Sequence, residues 1–286
     1  MSLIYIGTQE NNKECSVEAL YHNIEVEGPF SPRATYAKGQ IRYELFINVS
    51  RRMDKIYVAI PHRNVNHIKD ASDTFLQNFS ERTIGDEKEE IFNYNGDQYF
   101  LQRIATEQLN ILERTFDGIN YTLLEIVDVG ATNNIAMSFE ISVARMARNV
   151  SDSLFFETTW SLDITLYGPV NPREHSFLNV DKIGKNVMEI KSGYSYLYLP
   201  ENSFPRTVSP TPLESFFRES ENRFYYTWVS GNLDPWYEQR MMITYGSRQG
   251  NSITAIILSV IGSLLLLLIT TLPDIISIVD ELSVNF

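Results

Sequence analysis

Few residues of this chain have a type and spacing that could do chemistry. Its histidines are His22, His62, His67 and His175. His62 and His67 flank a short Arg-Asn-Val-Asn segment, and two imidazoles this close could ligate a metal if the fold supplied a third donor. Nothing in the spacing identifies that donor, so the histidines are expected in surface loops. The lone cysteine, Cys15, would be a nucleophile only with a histidine beside it. His22 is the nearest in sequence, which says nothing about geometry.

Carboxylates crowd at Asp86, Glu87, Glu89 and Glu90, with Lys88 among them. Such groups can hold Ca²⁺ or do acid/base work. Here they are adjacent, without EF-hand spacing, and a solvated loop is expected. There is no G-x-S-x-G, and GTQENNK lacks the second glycine and the Gly-Lys-Ser/Thr ending of a phosphate loop. No catalytic residue, metal ligand or cofactor is therefore assigned. Tyr225, Tyr226, Trp228 and Tyr237 could form a carbohydrate platform if exposed on one face, but packing is the expected role.

The elements that must position these residues read as strands. Ile41, Tyr43, Leu45, Ile47 and Val49 alternate with Arg42, Glu44, Phe46 and Asn48, a period of two with one buried face. Ile56, Val58 and Ile60 follow the polar turn Ser50 to Lys55 and are expected to pair with that strand. Leu154 to Tyr167 alternates likewise and is expected to pair with the segment holding Phe139, Ile141 and Val143. Asn95-Gly96 and Asp117-Gly118 are type I′ hairpin sequences. For the latter, a helix over Leu101 to Phe116 is the rival. RFYYTWV and WYEQRMMITYG are expected as a further hairpin. Helices are expected at Asp70–Glu81 and Leu213–Glu219, the second begun by Pro212.

These elements predict a mainly β fold, an antiparallel β-sandwich, either one large or two small, followed by a single C-terminal transmembrane helix. Residues 1–168 form a β-rich domain. Residues 169–248 form a second β-rich segment with a hairpin, in that domain or beside it, and the proline-bearing stretch Gly168 to Asn179 is the best internal boundary.

Residues 253–272 (ITAIILSVIGSLLLLLITTL) carry no charge. At 1.5 Å per residue they span about 30 Å, the thickness of a bilayer's hydrocarbon core. Arg240 and Arg248 precede the segment, whereas the tail 273–286 has no basic residue and carries Asp274, Asp280 and Glu281. The positive-inside rule then puts the N-terminal region in the cytoplasm. The opening MSLIYIGTQENNKE lacks the basic start and apolar run of a secretory signal, which agrees with a tail-anchored topology. Ala255, Ser259 and Ser263 recur every four residues with Gly262 beside them, a face on which two such helices could associate.

The net charge is −12. An acidic domain is repelled by phosphate backbones, so no nucleic-acid partner is expected. One cysteine excludes an intramolecular disulfide. Sequons at Asn48, Asn78, Asn120 and Asn149 are about as many as chance supplies in so Asn-, Ser- and Thr-rich a chain. The function expected is a single-pass, tail-anchored membrane protein whose β-sandwich binds a protein or small ligand without catalysis. Its partners are the lipid bilayer and a second copy through the transmembrane helix. The alternatives are a membrane-tethered metal-dependent hydrolase drawing on His62 and His67, and a subunit of an oligomeric membrane pore.

Overall fold

The computed structural model describes residues 4–8, 15–28, 34–50, 53–61, 65–71, 79–84, 87–94, 97–104, 109–129, 134–150, 158–167, 186–233, 239–247 and 260–273. Their strands are β1 (Tyr5–Thr8), β2 (Cys15–Val26), β3 (Tyr36–Val49), β4 (Met53–Pro61), β5 (Val65–Asp70), β6 (Phe79–Ile84), β7 (Glu87–Tyr94), β8 (Asp97–Ile104) and β9 (Asn110–Phe116). They continue with β10 (Ile119–Val129), β11 (Asn134–Asn149), β12 (Thr158–Thr165), β13 (Asn186–Val187), β14 (Gly193–Tyr198), β15 (Ser203–Ser209), β16 (Glu214–Arg218), β17 (Arg223–Ser230) and β18 (Arg240–Ser247). Residues 260–273 form a helix, α1.

The strands make two sheets. The smaller runs β13-β1-β4-β10-β9, and the larger follows the path β15-β18-β12-β11-β3-β2-β14-β17-β16. Pairing is antiparallel except where β8 meets β11 and β14 meets β2. β11 organises the larger sheet. One of its edges pairs with β3 from Asn134 to Arg148, while the other is shared by β8, β5 and β12. Strands from 186–247 enter both sheets, through β13 in the smaller and β14 to β18 in the larger.

The larger sheet has to curl. Its terminal strands, β15 and β16, are consecutive in sequence, and only residues 210–213 separate Ser209 from Glu214. Nine strands laid flat would set them about 38 Å apart, yet that connection reaches at most about 18 Å. Curling closes the gap into a half-barrel, and bonds cross it: Trp228 Nε1 donates to the Pro210 carbonyl (2.9 Å) and Asn222 Nδ2 to Asn202 Oδ1 (2.6 Å).

Both sheets share one core. Strands of the larger sheet alternate between buried and half-buried residues, as β12 does around Trp160, Leu162 and Ile164. In the smaller sheet, Ile56 to Pro61 and Tyr121 to Ile126 are buried without alternation, the pattern of strands covered on both faces. Tyr167, just after β12, ties the sheets together. Its buried hydroxyl bonds to the Met188 carbonyl, with that of Ile6 3.3 Å away.

Several expected pairings are corrected. β4 does not pair with β3; it lies between β1 and β10 in the other sheet, where its unbroken buried run from Ile56 to Pro61 is covered on both faces. β17 and β18 are not a hairpin: β17 pairs with β14 and β16, and β18 with β12 and β15. The helix expected at Leu213–Glu219 is instead the edge strand β16, whose Phe216 and Phe217 stand opposite Tyr225 and Phe224. Of the helix expected at Asp70–Glu81, Asp70 ends β5 and Phe79 to Glu81 begin β6, while residues 72–78 lie outside the described residues. The rival helix over Leu101–Phe116 is excluded by β8 and β9. Other expectations hold. β11 and β12 pair at Ala147 to Asn149, and β9 and β10 form the hairpin at Asp117-Gly118, with φ of 48° and 75° as a type I′ turn requires.

No helix among the described residues is long and apolar enough to cross a membrane. In α1, Val260, Ile261, Leu264 to Ile269 and Leu272 are nonetheless 48–68% exposed. These apolar side chains surround the helix without joining the core.

Candidate functional site

The inner face of the larger sheet holds the one arrangement among the described residues that resembles a catalytic pair. His22 on β2 is wholly buried, and its Nε2 lies 2.9 Å from the Leu166 carbonyl. A carbonyl only accepts, so Nε2 carries the proton and Nδ1 accepts from Ser195 Oγ at 3.3 Å. Ser-to-imidazole is the geometry of an activated nucleophile. Burial argues against that role here. Ser195 is 2% exposed, leaving no path for a substrate, and the second ring nitrogen meets a carbonyl where a triad places a carboxylate. Burial also pushes the imidazole down to about 4, against the pull of the Leu166 and Tyr194 carbonyls. The ring is therefore a neutral core group. Tyr43 meets it edge-on at 5.4 Å, and Phe139 stacks on Tyr43 at 5.1 Å.

Cys15 does not join it. Both residues lie on β2, where seven residues of strand separate them by about 23 Å. The Cys15 thiol is buried, and burial, helped by Glu18, pushes it up to about 12. It holds no thiolate at neutral pH.

The outer face of the same sheet carries a half-open cleft of about 270 Å³. Strand register builds it. Gln40 pairs with Glu25, Glu25 with Tyr198, Tyr198 with Tyr225, and Tyr225 with Phe216, a line across five strands. Arginines and carboxylates interleave along it. Arg223 Nη1 meets Glu25 Oε1 at 2.6 Å, Arg42 Nε lies 3.2 Å from Glu44 Oε1, and Arg218 pairs with Glu221. The Arg218 guanidinium also sits 4.8 Å above the Tyr225 ring, a cation–π contact. Phe216 stacks on that ring at 5.1 Å, and Tyr198 meets it edge-on at 4.8 Å. Burial raises the Glu44 carboxyl, with Arg42 opposing. It also raises the Tyr198 hydroxyl. The cleft thus offers fixed guanidinium and carboxylate groups around aromatic rings. That arrangement suits recognition of a polar or charged group, and the described residues lining it include no serine, cysteine or histidine.

The other candidate residues fall elsewhere. Tyr225, Tyr226 and Trp228 are only 4–5% exposed, so they form no carbohydrate platform, while Tyr237 lies outside the described residues. Glu87, Glu89 and Glu90 are in β7, paired with Ile84, Arg82 and Glu81 of β6, and not in a loop; Asp86 is outside the described residues. His67 pairs with Ser142 in β5 and β11, and His62 and His175 lie outside. No cluster of three metal-binding side chains occurs among the described residues. Of the helix-association face, Gly262 and Ser263 lie in α1, with open space beside Gly262; Ala255 and Ser259 are outside the described residues. The sequence pattern marked Arg42 and Glu44 as outward-facing but could not join them to Arg218, Glu221 or Arg223.

No family model matches this chain, and no curated sequence matches it. Solved structures overlap with it loosely. A candidate nutrient-binding protein from Legionella pneumophila superposes with a TM-score of 0.44 at 9% identity, over 85% of this chain and 70% of the other. A candidate protease from Parabacteroides distasonis gives 0.39 at 5% identity, over 82% and 40%. An M1 zinc metallopeptidase from Deinococcus radiodurans gives 0.34 at 8%, over 84% and 43%. The chain spans less than half the length of the last two. Overlaps this loose carry no activity across.

Proposed function

We propose that this chain is a single-pass membrane protein whose two sheets, packed as a β-sandwich over one core, bind a protein or small ligand without catalysis. One observation carries the anchoring: apolar side chains of α1 are exposed all round the helix, within an uncharged stretch of 20 residues at 253–272. In water, so continuous an apolar surface is unfavourable at roughly 25 cal/mol per Å²; in hydrocarbon it is the solvated state. The basic residues Arg240 and Arg248 favour a cytoplasmic β-rich region. The outer-face cleft supports the binding role, with its interleaved guanidinium, carboxylate and aromatic groups.

Carbonate extraction of membranes from cells expressing the chain tests the anchor. The full chain is expected in the membrane pellet and a variant lacking 253–272 in the supernatant; release of the full chain by carbonate would refute anchoring. Leu213→Cys, at a position 67% exposed, reports orientation, since buried Cys15 leaves a quiet background. An impermeant maleimide should label it only after permeabilisation, and labelling of intact cells would reverse the topology.

A further inference from the structure

Four strands end the two sheet paths, β13, β9, β15 and β16, and β6 ends a branch off the larger one. An edge strand presents backbone groups that another chain can pair with. β13 has two residues, too few to matter. In an antiparallel pair of identical strands, directly opposite residues must both point their amides outward or both inward. The full-length register therefore turns about the central residue of an odd-length strand. For β9 (NILERTF) that register sets Glu113 against Glu113 of the second copy. β15 (SFPRTVS) has a register shift between Pro205 and Thr207, and Pro205 has no amide hydrogen to donate, so it offers no regular edge. The β9 edge thus repels itself and the β15 edge is interrupted.

β16 (ESFFR) does the opposite. Turned about Phe216, it places Glu214 against Arg218 of the second copy and Arg218 against Glu214, with Phe216 on Phe216 at the axis. A shift of two residues either way loses both charge pairs. All five residues are exposed, and Phe216 and Phe217 keep 45% and 44% of their surface accessible. Opposite charges and aromatic pairs directly across two strands are both stabilising.

We propose that β16 is a homodimer edge, through which a second copy of this chain pairs antiparallel about Phe216 and makes one continuous sheet of the two half-barrels. The two-fold axis makes the contact isologous and closed, so it stops at two copies. Five residues a side bury less than a standard interface, and the dimer is correspondingly weak. Confinement of both copies to one bilayer raises their effective concentration; that point rests on the anchoring proposed above, whereas the pairing itself does not.

The test is sedimentation equilibrium of the full chain in density-matched detergent. Wild type is expected to show a concentration-dependent monomer–dimer equilibrium. Glu214→Arg alone and Arg218→Glu alone each set like charges opposite and should weaken dimerisation on the order of ten-fold. Mixing the two single variants should restore it as a one-to-one heterodimer. The first variant is then basic at both ends of β16 and the second acidic at both, so opposite charges face each other at each end. This rescue also shows that both variants are folded. Oxidation should cross-link Phe216→Cys with itself, and Ser215→Cys with Phe217→Cys in a mixture. A monomeric wild type, single variants that dimerise as wild type does, or a mixture that fails to recover would each overturn the proposal. Dimers insensitive to these charges would assign association to another surface, such as α1.

Discussion

The two faces of the larger sheet are made from alternate residues of the same strands, yet they meet different demands. On β2 and β3 the inner face carries His22, Ile24, Ile41 and Tyr43, all wholly buried, while the outer face carries Asn23, Glu25, Gln40 and Arg42, which line the cleft. On the inner face His22 has a fixed partner in the Leu166 carbonyl, whereas Tyr43 buries its hydroxyl against aromatic rings without a hydrogen bond. The outer face holds guanidinium and carboxylate groups side by side, partly hydrated and mutually paired. The difference teaches where each kind of change will register: inner-face changes in folding, outer-face changes in recognition.

The sharpest test is Trp160→Ala. Trp160 is fully buried, and its Nε1 donates to Thr158 Oγ1 at 2.9 Å. Losing that volume should lower the unfolding free energy by about 3–5 kcal/mol, read from denaturant midpoints. An effect below about 1 kcal/mol would mean that the inner face is not a packed core.

His22 comes next. Its folded pKa, about 4, lies below the unfolded value of 6.5. Between these values the unfolded chain binds the extra proton, so stability present above pH 6.5 is lost as pH falls toward 4, by up to about 3 kcal/mol. Subtracting the pH–stability profile of His22→Gln from that of wild type should isolate this loss. Parallel profiles would show that the ring titrates normally and is therefore hydrated.

Gly39 tests packing on the inner face, in phase with Ile41 and Tyr43. A Cβ there would run into Met146 Sδ and lie 2.5 Å from the Glu25 carbonyl oxygen. The backbone contact cannot give way cheaply, so Gly39→Ala should destabilise by about 1–3 kcal/mol, measured in the same denaturant series. The smallest effect belongs to the outer face. Arg223→Ala removes a partly exposed ion pair with Glu25 and should change stability by less than about 1 kcal/mol. A loss as large as that of Trp160→Ala would erase the distinction between the faces.

Much of the local structure was legible in the residues. Period-two alternation located β3, β11 and β12, because a half-buried strand needs it, and Asp117-Gly118 located a hairpin, because few residues accept positive φ. Partners were not legible in the same way. Alternation says that Ile56 to Ile60 is extended but not which edge it joins, and β4 crosses to the other sheet. The cleft was hidden for the same reason, since Glu25 and Arg223 are 198 residues apart. Leu213–Glu219 misled because proline before a short apolar run suits a helix start as well as an edge strand, and only β17 alongside decides between them.

The sequence by itself determined that the chain is mainly β, where many strands lie, and that residues 253–272 are uncharged, because periodicity, turn chemistry and composition act over neighbouring residues. Only the tertiary structure decided that the strands form two sheets, that His22 is a buried neutral ring and that three arginines meet across one cleft. Those outcomes depend on which distant strand edges pair, and burial and electrostatic environment follow from that pairing.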